Sequence, residues 1–185
     1  MKQKILASLL LSSLPFLSVA ATYDAFVNED SQVNFTYQQM GVSLDGTFEE
    51  FDGSLSFDTD NPEAATASVT IPLASVDTGT SEGNDEVAGK SWFNVAEFPS
   101  ASFESTQVKA LDNGQFQVSG TLSIKGNSKD IEFPATFHED GNQGTFAGEF
   151  TINRGDFSIG EGMWSKYDIV ANEVTIRFSL VAQSN

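Results

Sequence analysis

The stretch Phe116-Gln117-Val118-Ser119-Gly120-Thr121-Leu122-Ser123-Ile124 alternates apolar or glycine positions with polar ones. Successive side chains of a β-strand point to opposite faces, so a strict period of two indicates a strand with one buried and one solvated face. Such alternation is typical of antiparallel sheets, because strands of parallel sheets are buried on both faces and are apolar throughout. The stretch therefore predicts an antiparallel β protein.

The same period of two recurs along the rest of the chain after the N-terminal segment. Turn sequences such as Asp52-Gly53 and Lys125-Gly126 separate the alternating runs. We count eight or nine strands at hairpin spacing, which predicts a closed barrel or a sandwich. One segment lacks the period, and Asn84 followed by acidic residues predicts a short helix there, from Asp85 to about Trp92.

Residues 1–21 have the pattern of a secretory signal peptide. Lys2 and Lys4 precede an uncharged apolar stretch, Ile5–Val19, and small residues follow it. The apolar run of about 15 residues is shorter than the ~20 that a membrane-spanning helix needs, which favours cleavage over an uncleaved anchor. We expect export to the periplasm, with secretion beyond it as the alternative, and a single domain over residues 22–185.

Net charge limits the partners of this protein. The full chain carries 9 Lys and Arg, 26 Asp and Glu, and a net charge of −17; without Lys2 and Lys4, 7 positive residues face 26 acidic ones, giving −19. A field of that sign repels phosphate groups, so we expect no nucleic-acid partner and no attraction to anionic membrane surfaces. We also expect no stable membrane insertion, and we leave the oligomeric state open, with a dimer as one alternative.

The residue types that most enzymes use are scarce. The chain has no Cys and a single His, His138, and one imidazole cannot build a His-based triad or a multi-His metal site. Asp58, Asp60 and Glu63 resemble part of a calcium loop but lack its glycine and its final Glu. No phosphate-binding loop or nucleophile elbow is present. We therefore predict no catalytic residue, no metal and no cofactor.

Three glycines fall at apolar positions of the alternating runs, at Gly46, Gly120 and Gly148. Glycine inside a strand marks a sharp bend or a close approach. A bend at a barrel corner is one interpretation, and vacant interior volume is the other. An eight-stranded barrel is just wide enough to be filled by side chains or to hold one ligand.

Several segments resemble the YceI family when they are taken together and in order. They are SVDTG (75–79), WFNVAEFP (92–99), GTLSIKG (120–126), NRGDFSIG (153–160) and NEVTI (172–176). The resemblance covers about residues 23–182. It departs from the family near Gln38-Gln39-Met40-Gly41, where many members carry a His that this chain lacks.

The resemblance implies an all-β fold, an eight-stranded antiparallel lipocalin-like barrel with one short helix, in a periplasmic protein. It also implies binding of an isoprenoid lipid, either a polyisoprenoid or an isoprenoid quinone, or of a similar amphiphile inside the barrel. The alternative is a barrel with a filled core that acts as a protein- or polysaccharide-interaction module in the envelope.

The candidate ligand-binding residues are mostly the inward apolar positions of the strands. Arg154 and Asp156 form either a polar pair near the opening or a structural ion pair, and Trp92, Phe93, Met163 and Trp164 are candidates for a lid. The full candidate set is Phe35, Leu44, Phe48, Phe57, Val69, Trp92, Phe93, Phe103, Phe116, Val118, Leu122, Phe133, Phe137, Phe146, Phe150, Arg154, Asp156, Phe157, Met163, Trp164 and Phe178.

The N-terminal pattern gives a direct test. We expect the exported protein to begin at Ala21 or Thr22, because small residues precede both positions. N-terminal sequencing of material recovered from the host periplasm checks this, and exported protein that still begins at Met1 contradicts it.

Overall fold

Eleven β-strands and one α-helix make up residues 21–184, the part of the chain that the computed structural model describes. The predicted signal peptide lies outside these residues, apart from Ala21. The strands are β1 (Thr22–Phe26), β2 (Gln32–Gln39), β3 (Val42–Phe48), β4 (Asp52–Asp58), β5 (Thr66–Pro72), β6 (Val76–Asp77), β7 (Ser100–Ala110), β8 (Gln115–Ile124), β9 (Asn127–Asp140), β10 (Gln143–Asn153) and β11 (Val170–Ser184), and the helix is α1 (Ser81–Ala88).

Eight strands close into a ring in the order β1-β4-β5-β7-β8-β9-β10-β11, with β11 pairing back to β1. All ladders are antiparallel, and most neighbours in the ring are joined by hairpins. β2 pairs with a different part of β11, and β3 and β6 extend from β2 as a side branch of the wall. The predicted eight-stranded antiparallel barrel with one short helix is confirmed.

The barrel has two different ends. At one of them an aromatic cluster packs across the interior; we call this cluster the plug. Its rings lie close together, with centroid separations of 4.8 Å for Phe57–Phe137, 5.0 Å for Phe57–Phe146 and 5.2 Å for Tyr23–Phe137. Tyr23 is fully buried there, and burial, with a smaller contribution from the Glu139 carboxylate, raises the pKa of its phenol. The other end, which we call the helix end, carries α1, the β2–β3 and β8–β9 turns and the long loop between β10 and β11.

The helix differs from the one predicted. It spans Ser81–Ala88 rather than Asp85 to about Trp92, and Thr80 caps it by accepting a hydrogen bond from the Gly83 backbone N–H at 3.1 Å. Asn84 does not cap the helix, because its side-chain oxygen accepts a hydrogen bond from the Thr78 backbone N–H at 2.7 Å. A second residue able to cap, Thr80, lies one turn earlier, and the chain leaves the helix at Gly89.

The glycines at apolar positions do not leave empty volume. A β-carbon at each of them would overlap a phenylalanine ring that the neighbouring strand lays across the glycine, so the interpretation as vacant space is wrong. This arrangement, in which an aromatic ring covers a strand glycine, stabilises curved sheets. The pairs are Gly46 with Phe35, Gly120 with Phe103 and Gly148 with Phe178.

We expect Gly148→Ala to lower the free energy of unfolding by about 1–3 kcal/mol, the usual cost of overpacking. The new β-carbon would lie 2.5 Å from Cζ of Phe178 and 3.0 Å from the Pro134 carbonyl oxygen. Chemical denaturation of Gly148→Ala, of Phe178→Ala and of the double variant measures how far the cost of the alanine depends on the ring. The alanine at 148 should cost clearly less once the ring is gone, and an equal cost in both backgrounds would assign the glycine to a backbone requirement instead.

Candidate functional site

A cavity of about 360 Å³ occupies the middle of the barrel. Val69, Val118 and Ile176 line it and point inward from the middle of their strands, yet each keeps partial exposure. In a filled core, such residues would be close to fully buried. Their exposed surface therefore faces the cavity, and the centre of the barrel is open space between the plug and the helix end.

Most of the predicted ligand-binding residues line this cavity. They come from strands all round the barrel, from the segment after α1 and from the loop after β10. The lining members of the predicted set are Phe35, Phe48, Val69, Trp92, Phe93, Phe103, Val118, Leu122, Phe133, Phe146, Phe150, Arg154, Trp164 and Phe178.

Seven members of the predicted set lie elsewhere. Three belong to the plug and its packing partners, one is a buried residue of the β10–β11 loop, and three are exposed at the surface. In that order they are Phe57, Phe116 and Phe137; Phe157; and Leu44, Asp156 and Met163. Alternation identified the inward face of each strand, but it did not show which height of the barrel a residue occupies.

The cavity has lining residues that the prediction left out. Tyr37 and Val174 lie on inward faces that the alternation had already marked. Burial raises the pKa of the Tyr37 phenol. Gly83, Glu86 and Val87 come from α1, where spacings of three and four residues place them on one helix face. The predicted helix began at Asp85, so it left out Gly83 and with it the face that these three residues share.

Arg154 closes part of the cavity wall at the helix end, and it is 2% exposed. All five of its N–H groups donate to backbone carbonyl oxygens: Nε to Ala171 at 3.1 Å, Nη1 to Ile159 at 2.7 Å and Gly160 at 3.2 Å, and Nη2 to Trp164 at 2.7 Å and Val170 at 2.9 Å. Its guanidinium carbon also lies 5.2 Å from the ring centroid of Trp92 and 4.9 Å from that of Tyr167. Burial lowers the pKa of this arginine.

The predicted pairing of Arg154 with Asp156 is wrong. The Asp156 side chain is exposed, and the guanidinium donates all five N–H groups to carbonyl oxygens of the loop between β10 and β11 and of the first two residues of β11. A planar guanidinium with five fixed donors can gather carbonyls from several turns of chain at once. Arg154 therefore holds the shape of that loop.

A second buried cation braces the same loop from the β8–β9 turn. Lys125 is 8% exposed, and its Nζ donates to the Ser158 carbonyl oxygen at 2.7 Å and to Glu161 Oε2 at 2.8 Å. Asn127 donates to the Phe157 carbonyl oxygen at 3.2 Å. The loop is thus fixed from both sides, although it contains only short turns of 3-10 helix.

Two tryptophans lie together at the helix end of the cavity. The ring centroids of Trp92 and Trp164 are 5.5 Å apart, and Trp92 Nε1 donates to Glu86 Oε1 at 3.2 Å. Both indoles line the cavity, and this hydrogen bond ties one of them to α1. The lid role predicted for these residues stays a prediction, and Met163, which was predicted with them, points into solvent.

Within residues 21–184, no group of three or more His, Asp or Glu side chains converges to hold a metal ion. In the same part of the chain, no helix is long and apolar enough to cross a membrane.

A closed antiparallel barrel of eight strands with an apolar cavity and a helix at one end defines a lipocalin-like barrel protein. A family model described as YceI-like domain matches residues 25–182. The chain therefore belongs to the YceI-like family.

Relatives in sequence and structure are consistent with this membership. A UPF0312 protein of Ectopseudomonas mendocina is 36% identical over 169 residues, which cover 86% of this chain and 88% of that protein. The crystal structure of BcnA from Burkholderia cenocepacia matches with a TM-score of 0.84 and 36% identity, covering 86% of this chain and 100% of that one. A polyisoprenoid binding domain from Saccharophagus degradans, described as implicated in plant cell wall breakdown, matches with a TM-score of 0.67 and 20% identity over 91% of this chain and 100% of that one. This last likeness is one of fold.

We expect Arg154→Lys to lower the free energy of unfolding by about 2–4 kcal/mol, because lysine has three donors for five buried carbonyl oxygens. Asp156→Asn should change it by no more than about 0.5 kcal/mol, as is usual for an exposed side chain. Thermal and chemical denaturation of the two variants measures both effects. Equal losses of unfolding free energy in the two variants would indicate that Arg154 and Asp156 form an ion pair, contrary to the carbonyl contacts of the structure.

Proposed function

We propose that this protein is an exported periplasmic carrier that holds a long-chain isoprenoid lipid, of polyisoprenoid or isoprenoid quinone type, inside its barrel. The observation that carries the proposal is the apolar cavity of about 360 Å³ in the centre of the fold. Small-molecule sites have volumes of about 300–1,000 Å³ and mostly apolar walls with a few polar groups. The Saccharophagus degradans domain of the same fold, described as polyisoprenoid binding, supports this class of ligand.

The cavity wall suits a chain that is held by burial of area rather than by directed bonds. Aromatic and branched aliphatic side chains such as Phe133, Phe150 and Ile176 form its middle. Each Å² of apolar surface removed from water contributes about 25 cal/mol, so a hydrocarbon chain needs no specific partner to bind there. Because the plug closes one end of the barrel, we place the exit for the rest of a long chain at the helix end.

The polar groups of the wall favour an uncharged headgroup over a phosphate. Arg154 is the cation on this wall, and its five donors are already used by backbone carbonyls. Glu86 adds a carboxylate at the helix end of the cavity, which opposes an anion there. Within the isoprenoid class, these residues support a quinone or another neutral headgroup.

A carrier role, rather than catalysis, fits the chemistry of the wall. The polar lining side chains include Gln39, Thr78 and Glu86, and His138 lies on the outside of the barrel near its plug end. A general acid or base needs a positioned partner and a pKa matched to its task. The lining offers a neutral amide, hydroxyls and one carboxylate that is bonded to an indole, which supports binding alone.

Identification of the bound molecule is the direct test. We expect organic extraction of protein purified from its host periplasm, followed by mass spectrometry, to release one class of long-chain isoprenoid lipid. Recovery of bulk membrane phospholipids in their ordinary proportions, or of no lipid, would contradict the proposal. The second result would favour the other function considered for this barrel, an envelope interaction module.

A pair of variants on one strand locates the ligand. Val118 lines the cavity and Gln117 lies on the opposite face of β8, so we expect Val118→Trp to retain less than about a tenth of the wild-type lipid and Gln117→Trp to retain all of it. Lipid per mole of protein and the melting temperature are measured for both. A folded Val118→Trp protein with its full complement of lipid would place the ligand outside the cavity.

A further inference from the structure

Large exposed apolar side chains are concentrated at one place on this barrel. Among the described residues seven such side chains occur, and six of them lie on the β2–β3 hairpin or on the loop before β11. We call these six the apolar rim: Met40, Val42, Leu44, Met163, Tyr167 and Ile169. The seventh, Leu111, lies in the turn between β7 and β8, at the plug end.

The two segments of the rim form one surface. The Met40 backbone N–H donates to the Ile169 carbonyl oxygen at 2.7 Å, and Val170 is the ladder partner of Gln39. Arg154 and Lys125 fix the loop that carries the second segment. The exposure of the rim is therefore held in place by the fold.

The rim is continuous with the cavity wall. Met40, Met163 and Ile169 are each next in sequence to a residue that lines the cavity, namely Gln39, Trp164 and Val170 respectively. Opposite residues of an antiparallel pair share a face, and Leu44 is paired with Tyr37, which also lines the cavity. The apolar interior thus extends outward over the rim at the helix end.

The residue at the tip of the β2–β3 hairpin goes against local preference. Met40 and Gly41 have positive φ angles of 51° and 79°, as in a type I′ turn. Asn, Asp and Gly are strongly preferred at the first of these positions, because other side chains are strained there. Met40 is nevertheless 78% exposed, so it contributes little packing in return.

We propose that the apolar rim docks on the surface of a zwitterionic phospholipid bilayer and brings the helix end of the cavity against the lipid; this rests on the proposed function. Exposed apolar patches next to polar surface mark interaction sites, and such groups can enter the boundary between headgroups and acyl chains. The rim supplies Met and Ile side chains that are free to insert, and the bilayer is the place from which an isoprenoid lipid must come.

Net charge favours a zwitterionic bilayer over the two other surfaces that the rim could contact, a second copy of the chain and an anionic membrane. Lys166 and Asp168 offset each other within the loop of the rim, while the chain without Lys2 and Lys4 carries −19. A second copy of the chain or an anionic membrane would be repelled by that net charge, and a bilayer with no net charge would not be. Binding by the rim should therefore weaken as anionic lipid is added and recover with salt.

Flotation with phosphatidylcholine vesicles tests the proposal on the mature protein. We expect wild-type protein to float with the vesicles, and the double variant Met40→Asn/Met163→Ser to bind at least about tenfold more weakly through lost apolar burial. Asn is favoured at the turn position, so this change should not weaken the fold. Leu111→Ser is the matched control: it removes an exposed apolar side chain at the other end of the barrel and should bind like wild type.

Each outcome decides the proposal. Wild-type protein that stays with the unbound fraction, or a double variant that floats equally well, overturns it. Light scattering that finds a wild-type dimer lost in the double variant assigns the rim to a second copy and also overturns it. Lipid content is measured separately by extraction, so protein that floats but carries no isoprenoid lipid would contradict the carrier function and leave the docking surface standing.

Discussion

One strand with two partners along the same edge determines the shape of this barrel. The last residues of β11, Ala182–Ser184, pair with β1, and its earlier part pairs with β2. Because β1 leads on to β4 and β2 leads away to β3, the wall closes at the plug end and diverges toward the helix end. β1 and β4 share only a short ladder, Thr22 with Asp58 and Tyr23 with Phe57, so closure of the ring is confined to that end.

The diverging end needs a different kind of support, and buried cations supply it. Hydrogen bonds between strands cannot hold the loop between β10 and β11, so Arg154 and Lys125 hold it through the carbonyl oxygens of its turns. A buried charge is tolerated when every donor is satisfied. The partners of Arg154 are all peptide dipoles, whereas Lys125 has one carbonyl oxygen and the Glu161 carboxylate. The same contacts place Trp164 beside Trp92 in the cavity wall and hold Met163 outside it.

Much of the strand structure could be predicted from period-two alternation, while local turns and barrel height could not. The runs of β8, β9, β10 and β11 were marked because every second residue is apolar. The period of two does not mark β1, because a register shift between Tyr23 and Ala25 places its inward aromatic residues, Tyr23 and Phe26, three apart. It does not mark β6, because Val76–Asp77 is too short to show a period. The partners of Arg154 could not be predicted, because backbone carbonyls leave no trace in side-chain chemistry. The glycine positions were recognised, but the ring that covers each one comes from a neighbouring strand, and pairing between strands is not a local property of the sequence.

The plug has a consequence for traffic through the barrel. Tyr23 and Phe57 are packed among other rings at one end, so the interior is a cavity closed at that end rather than a channel through the barrel. A cargo molecule that enters tail first has to back out along the path it took, with its head emerging first. A barrel that is closed at one end does not itself set the direction of transport. Net delivery then depends wholly on the relative abundance of the bound molecule at the donor and the acceptor.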